Sequence, residues 1–189
     1  MTPRRALMVG GALFALLGVW VLVFVLPRWY GRSGSVSPSS SSTATAAPGR
    51  RIKATLFYVG DDGMRLTRVE REVPFGEGAV EQARQIVEAQ IAPVVEPLVS
   101  AIPPGTKLRA IFVTERGEAF VDLSRDLLAG HSGGSTNELL TVYSIVDALG
   151  ANLPAIHSVQ ILVEGKQVET LAGHVDLRRP LETNLSWVQ

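Results

Sequence analysis

The 189-residue chain contains no cysteine. Structural disulfides, thiolate zinc sites and a cysteine nucleophile are therefore excluded, as is a lipid carried on an N-terminal cysteine. Histidine is scarce. His131, His157 and His174 are scattered with no local ligand pair, so no metal site is indicated. No glycine-rich phosphate loop follows a strand-like run, and no cofactor is implied. Acidic residues are missing from the first 50 positions, which hold Arg4, Arg5, Arg28, Arg32 and Arg50. That leaves 13 of the 18 Lys and Arg against all 18 Asp and Glu in the rest of the chain, a net −5 hidden beneath an overall charge of zero. A domain at −5 is poorly suited to neutralising phosphates, which argues against nucleic acid as a partner.

What is present divides into three parts. Residues 1–5 form a short basic tail, expected in the cytoplasm. Residues 6–26 are 21 consecutive uncharged positions, ALMVGGALFALLGVWVLVFVL. At about 1.5 Å of rise per residue such a helix spans a hydrocarbon core of roughly 30 Å. Arg4 and Arg5 precede the run, and Pro27-Arg28-Trp29-Tyr30 follow it as an aromatic and basic belt. The run is too long for the apolar part of a signal peptide, and no small-residue cleavage site follows directly. It is predicted to be an uncleaved single-pass anchor in the cytoplasmic membrane, with the rest of the chain on the extracytoplasmic (periplasmic) side. Residues 27–50, rich in Ser, Thr, Ala, Gly and Pro from Gly31 onward, read as a flexible tether. Residues 51–189 are expected to form one domain.

Within that domain Ile52–Val59 and Arg65–Val73 flank Gly60-Asp61-Asp62-Gly63 and read as a hairpin with an edge strand. Gly78–Ile91 places Val80, Ala83, Val87 and Ile91 at helical spacing, with Pro93 and Pro97 beyond it. A rigid turn, Ser100–Thr106, precedes a second hairpin, Lys107–Val113 and Glu118–Leu123. Ser135-Thr136-Asn137-Glu138 has the form of a capping box. It opens a second helix whose apolar stripe runs from Leu139 to Leu149 and which Gly150 is expected to cap. Val159–Val163 reads as a central strand and Gln167–Leu171 as its hairpin partner. The expected order is ββαββαββ, an α+β fold with two helices packed on one mixed or antiparallel sheet.

Several separated segments resemble the GerMN domain known from sporulation and germination proteins. They are Ser100–Thr106 (SAIPPGT), Val121-Asp122-Leu123-Ser124, Gly134-Ser135 before Leu139–Leu149, Val159–Gly165 (VQILVEG), and Leu171–Leu177 (LAGHVDL) with Pro180. The resemblance covers about residues 52–181. It implies an extracytoplasmic module, commonly membrane- or lipid-anchored, with a fold similar to ring-building motifs. It implies partners among envelope proteins or a second copy of the chain. It carries no catalytic residues, so no catalytic, cofactor or metal site is assigned and no enzyme activity is expected.

Two arrangements nevertheless resemble hydrolase chemistry. Gly130-His131-Ser132-Gly133-Gly134 matches the G-x-S-x-G elbow by letter, but an elbow needs a strand ending at the first glycine and a helix starting at the serine. Here the strand is expected to end near Leu123 and the helix to start at Ser135. Asp122 and Ser124 share a strand face, with a bland reading as partners of the following turn. His174 and Asp176, also predicted one strand face apart, could complete a Ser124/His174/Asp176 set. A glycan-binding module for the cell wall is the other alternative, weakened because most of Phe57, Tyr58, Phe75, Phe112, Phe120, Tyr143 and Trp187 fall in core patterns.

Overall fold

Strands β1 (Arg51–Val59) and β2 (Leu66–Pro74) pair antiparallel without a break, from Arg51 opposite Pro74 to Val59 opposite Leu66. The connecting turn is held by Asp62, whose Oδ1 accepts from the amides of Met64 and Arg65, and by Gly63 in the left-handed region. The computed structural model describes residues 49–189. Among the described residues no helix is long and apolar enough to cross a membrane; the uncharged run at 6–26 and most of the tether lie outside them.

Helix α1 (Gly78–Ile91) follows, then a long connection to β3 (Leu108–Val113) and β4 (Glu118–Leu123), a short helix α2 (Asp126–Ala129) and the long helix α3 (Ser135–Asn152). Strand β5 (Ser158–Val163) is followed by two-residue strands β6 (Lys166–Gln167) and β7 (Leu181–Glu182) and a 3-10 turn at Leu185–Trp187. The domain is α+β as expected, but it holds two sheets. β1 and β2 form one, and β3-β4-β5-β6 form the other, with β7 also on β5. β3 and β4 are antiparallel with a bulge at Arg109, and β4 and β5 are parallel, so the second sheet is mixed and β5 is central. The parallel pair follows from the crossover through α2 and α3, which returns β5 in the direction of β4.

The sheets stay separate because side chains terminate the inner edge of β1. Gln90, fully buried on α1, accepts from the Phe57 amide at 2.9 Å and donates to the Phe57 carbonyl at 2.7 Å. Asn152, at the end of α3, does the same for Thr55 at 2.8 and 2.7 Å. Each amide side chain copies the donor and acceptor of a strand neighbour, so no further strand is needed there. The core between these elements is mainly aliphatic, with Leu56, Ile86, Leu123, Leu140, Ile145, Leu149 and Ile161 essentially inaccessible to solvent alongside the aromatic Phe57 and Tyr58.

Three local expectations are corrected. Ser135 is not an N-cap: Gly134 occupies that position at φ 86°, with no side-chain cap, and Ser135 begins the helix. Glu138 cannot reach back to close a capping box because its carboxylate is buried against the segment after β6. Gly150 is not a C-cap, since α3 continues to Asn152. A Cβ at Gly150 would lie 2.0 Å from Thr183 Cγ2, so close packing of the tail explains the glycine instead. Gln167–Leu171 is not a strand beyond Gln167. The backbone of 168–180 is irregular; side chains of α3 and β5 bond it at Leu171, His174 and Leu177, and the Leu177 amide donates to the Glu169 carbonyl within it.

Candidate functional site

Among the described residues the polar groups capable of chemistry lie in four places. The first is the loop from Gly130 to Gly134. It joins two helices, α2 and α3, and not a strand to a helix, so the strained elbow that would present Ser132 is not formed. Ser132 Oγ accepts from Asn137 Nδ2 at 3.1 Å. His131 Nδ1 accepts from the Gly133 amide at 3.0 Å, which fixes the proton on Nε2, and Nε2 lies 3.4 Å from Thr141 Oγ1. Both nitrogens of the nearest imidazole are thus engaged, and neither faces Ser132 as a base. The loop borders an open cleft of about 450 Å³ whose other walls include Val59, Val99, Ile102, Pro103 and Leu140.

The second place is the end of β4. Ser124 Oγ donates to Asp126 Oδ2 at 2.8 Å and accepts from the Lys107 amide at 3.0 Å, carrying the β3–β4 ladder past the bulge. Asp122 Oδ1 accepts from Gly165 at 2.7 Å, in the turn between β5 and β6 and not in the turn that follows its own strand. Arg109 Nη1 stands 3.4 Å from both Asp122 Oδ2 and Glu164 Oε2. Glu164 is in the left-handed region at φ 53° and accepts from the Arg125 amide.

The third place surrounds Glu138, which sequence reading assigned only to helix capping. Its carboxylate is fully buried and accepts from the amides of Leu171 at 2.7 Å and His174 at 2.8 Å; His174 Nδ1 lies 3.2 Å away. Burial pushes the carboxyl up, but the backbone amides of Ala172, His174, Leu171 and Val175 together hold it below the ordinary 4.5. His174 and Asp176 lie in a bend, not on a strand, and do not act together. Asp176 is gripped by Arg178, whose Nε and Nη2 donate to its two oxygens at 2.9 and 2.8 Å, and this hydrogen bonding holds it well below the usual carboxylate range. Ser124 shares no hydrogen-bond partner with either residue, so the Ser124/His174/Asp176 set is not assembled.

The fourth is Asp147 on α3, also fully buried. Oδ1 accepts from the Asn184 amide at 2.9 Å and Oδ2 has no partner. Burial raises this carboxyl to about 6, against the lowering effects of the Asn184 amide and the Arg68 charge. With Gln160, whose Nε2 donates to the Leu177 carbonyl at 2.6 Å, these residues fasten the irregular tail. Among the described residues the exposed aromatics are Phe75, Phe112 and Trp187, far apart in sequence, with Arg50 4.2 Å above the Phe75 ring. Among the described residues no cluster of His, Asp and Glu could hold a metal ion.

The family model "Germane: Sporulation and spore germination" matches residues 55–169. The chain belongs to this family. The matched stretch runs from the middle of β1 past β6, so it takes in Gln90, Glu138 and Asn152. Germane-type folds are found among solved structures as well. The tandem GerMN domains of the sporulation protein GerM from Bacillus subtilis superpose with a TM-score of 0.55 at 15% identity, over 70% of this chain and 46% of that one. This chain thus spans about half of the tandem. A Clostridium perfringens protein described as a candidate lipoprotein superposes with a TM-score of 0.51 at 21% identity, over 70% of this chain and 87% of that one. Both likenesses show the fold. No curated protein matches the chain in sequence.

Proposed function

We propose that this Germane-family chain is a non-catalytic interaction module of the cell envelope, with residues 6–26 as its membrane anchor and the folded domain on the extracytoplasmic side. The observation that carries this reading is what the polar side chains do. Ser124, Asp122, His131, Glu138, Gln160, Gln90 and Asn152 each spend their donors or acceptors on backbone groups. A catalytic serine needs a base in reach and donors for a developing oxyanion. Ser132 has an amide side chain beside it, and the Ser124 hydroxyl donates its hydrogen bond to the Asp126 carboxylate, with no imidazole in reach. The polar interior is architecture, and function is left to the surface.

The family description supports a role in sporulation or germination, and the lipoprotein description of the Clostridium perfringens relative supports a place at the membrane. This sequence has no cysteine to carry a lipid, so in this reading the uncharged run 6–26 takes the anchoring part. The test is photo-crosslinking of the full-length protein in its membrane, with the photoreactive residue placed at exposed positions of the domain. Specific protein adducts at a confined set of positions are expected. Adducts to cell-wall glycan alone would replace the reading with a glycan-binding one.

A further inference from the structure

We propose that β3 is the edge along which two copies of this chain pair, antiparallel and about a two-fold axis; this names the partner within the interaction reading above. A strand edge with free amides and carbonyls is a template for another strand, and proteins normally blunt such edges. The other edges here are blunted. β1 is closed by Gln90 and Asn152. β2 is covered at Leu66 by Val188 and Gln189 and carries Arg68, Glu70, Arg71 and Glu72 along the rest. The far side of β5 is divided between two strands of two residues each. β3 carries the bulge at Arg109 but, among the described residues, has no amide side-chain cap, no covering terminus and no run of charges. Among the described residues, the backbone of Leu108–Val113 hydrogen-bonds to β4 alone. Its one charged residue, Arg109, is already balanced by Asp122 and Glu164. Phe112 is 61% exposed and lies opposite the half-buried Phe120.

The charge pattern selects a second copy as the occupant. The segment Lys107-Leu-Arg-Ala-Ile-Phe-Val-Thr-Glu115 is basic at one end and acidic at the other, with Arg116 following in the turn. Antiparallel pairing with Ile111 opposite Ile111 brings the basic end of each segment, Lys107 just before the strand, toward the acidic end of the other, Glu115 in the turn just after it. It also sets Phe112 opposite Ala110, a large side chain against a small one, on the face that carries Phe120. Parallel pairing in register would set Lys107 against Lys107 and Phe112 against Phe112.

The absence of native cysteine makes the test direct. Ala110→Cys with Phe112→Cys is introduced into the full-length protein, which is oxidised mildly in membranes and run on a non-reducing gel. A disulfide-linked dimer is expected, and none from Arg71→Cys with Glu72→Cys on β2. Lys107→Glu introduced into the double-cysteine protein should cut the dimer yield several-fold, and adding Glu115→Lys should restore it. Phe112→Lys, made in the cysteine-free protein, should abolish the dimer that amine-reactive chemical crosslinking captures in membranes, with an unchanged Tm. Equal linkage from β2, or no rescue by the charge swap, overturns the proposal. If no dimer forms yet Phe112→Lys still abolishes function in cells, the interaction reading stands and the second copy is overturned as its partner. If the dimer forms and Phe112→Lys breaks it without functional loss, the pairing stands and its place in the interaction reading fails.

Discussion

Replacing Glu138 should do more damage than its exposed-looking position in the sequence suggests. The side chain is fully buried and receives the Leu171 and His174 amides at 2.7 and 2.8 Å. Each hydrogen bond to a charged acceptor is worth about 1.5–3 kcal/mol, and amides left buried without an acceptor cost more. Removing the carboxylate also removes its own burial cost, which offsets part of the loss. Glu138→Ala should therefore cost about 3–5 kcal/mol. Glu138→Gln keeps one acceptor but turns an amino group toward backbone donors, and should cost about 1–3 kcal/mol. Because the folded carboxyl lies below the ordinary 4.5, its contribution is complete above the unfolded value and drains as pH falls below it. The assay is denaturant unfolding combined with amide hydrogen exchange. Protection at Leu171 and His174 should fall in both variants. A loss under about 1 kcal/mol with unchanged protection of these amides would refute the reasoning.

Three further outcomes are expected. Asp147, raised by burial to about 6 from 3.8, binds its proton more tightly folded than unfolded, so the domain should gain stability as pH falls from 7 toward 4, by at most about 3 kcal/mol from this group; in Asp147→Asn that part of the pH dependence of Tm should vanish. Gln90→Leu strips the buried Phe57 amide and carbonyl of both partners and should cost about 2–4 kcal/mol, read by denaturant unfolding. Gly117→Ala should cost about 2 kcal/mol or more, because φ is 77° and a Cβ would meet the Ala155 carbonyl at 2.3 Å; a Tm equal to wild type would show that the hairpin turn is not built as described.

The features legible in the sequence were those with local signals. β-rich runs and turn residues mark both hairpins to within a residue or so, and the helical spacing of Val80, Ala83, Val87 and Ile91 marks α1 with its bounds, although Val80 is exposed. Signals that depend on distant partners were misread. Ser135-x-x-Glu138 has the letters of a capping box, but Glu138 bonds to residues 33 and 36 positions away. Gly150 looks like a helix stop and is a packing glycine for Thr183. Gln90 and Asn152 carry no strand signal at all, yet they replace a strand neighbour of β1 across 33 and 97 positions. The irregular tail from Val168 reads as a strand only because it follows the Glu164-Gly165-Lys166 turn after the central strand. What holds it is a set of buried polar side chains that periodicity does not reveal.

The central claim is that this Germane-family domain works through its surface and not through a catalytic residue. Complementation tests it most directly, with Ser132→Ala, Ser124→Ala and His174→Ala each expressed at equal levels in cells lacking the protein. The account predicts that all three support function, with any deficit matched by a lower Tm of the purified variant. A variant that melts like wild type and yet abolishes function, at Ser132 or His174 above all, would contradict it and restore the hydrolase reading.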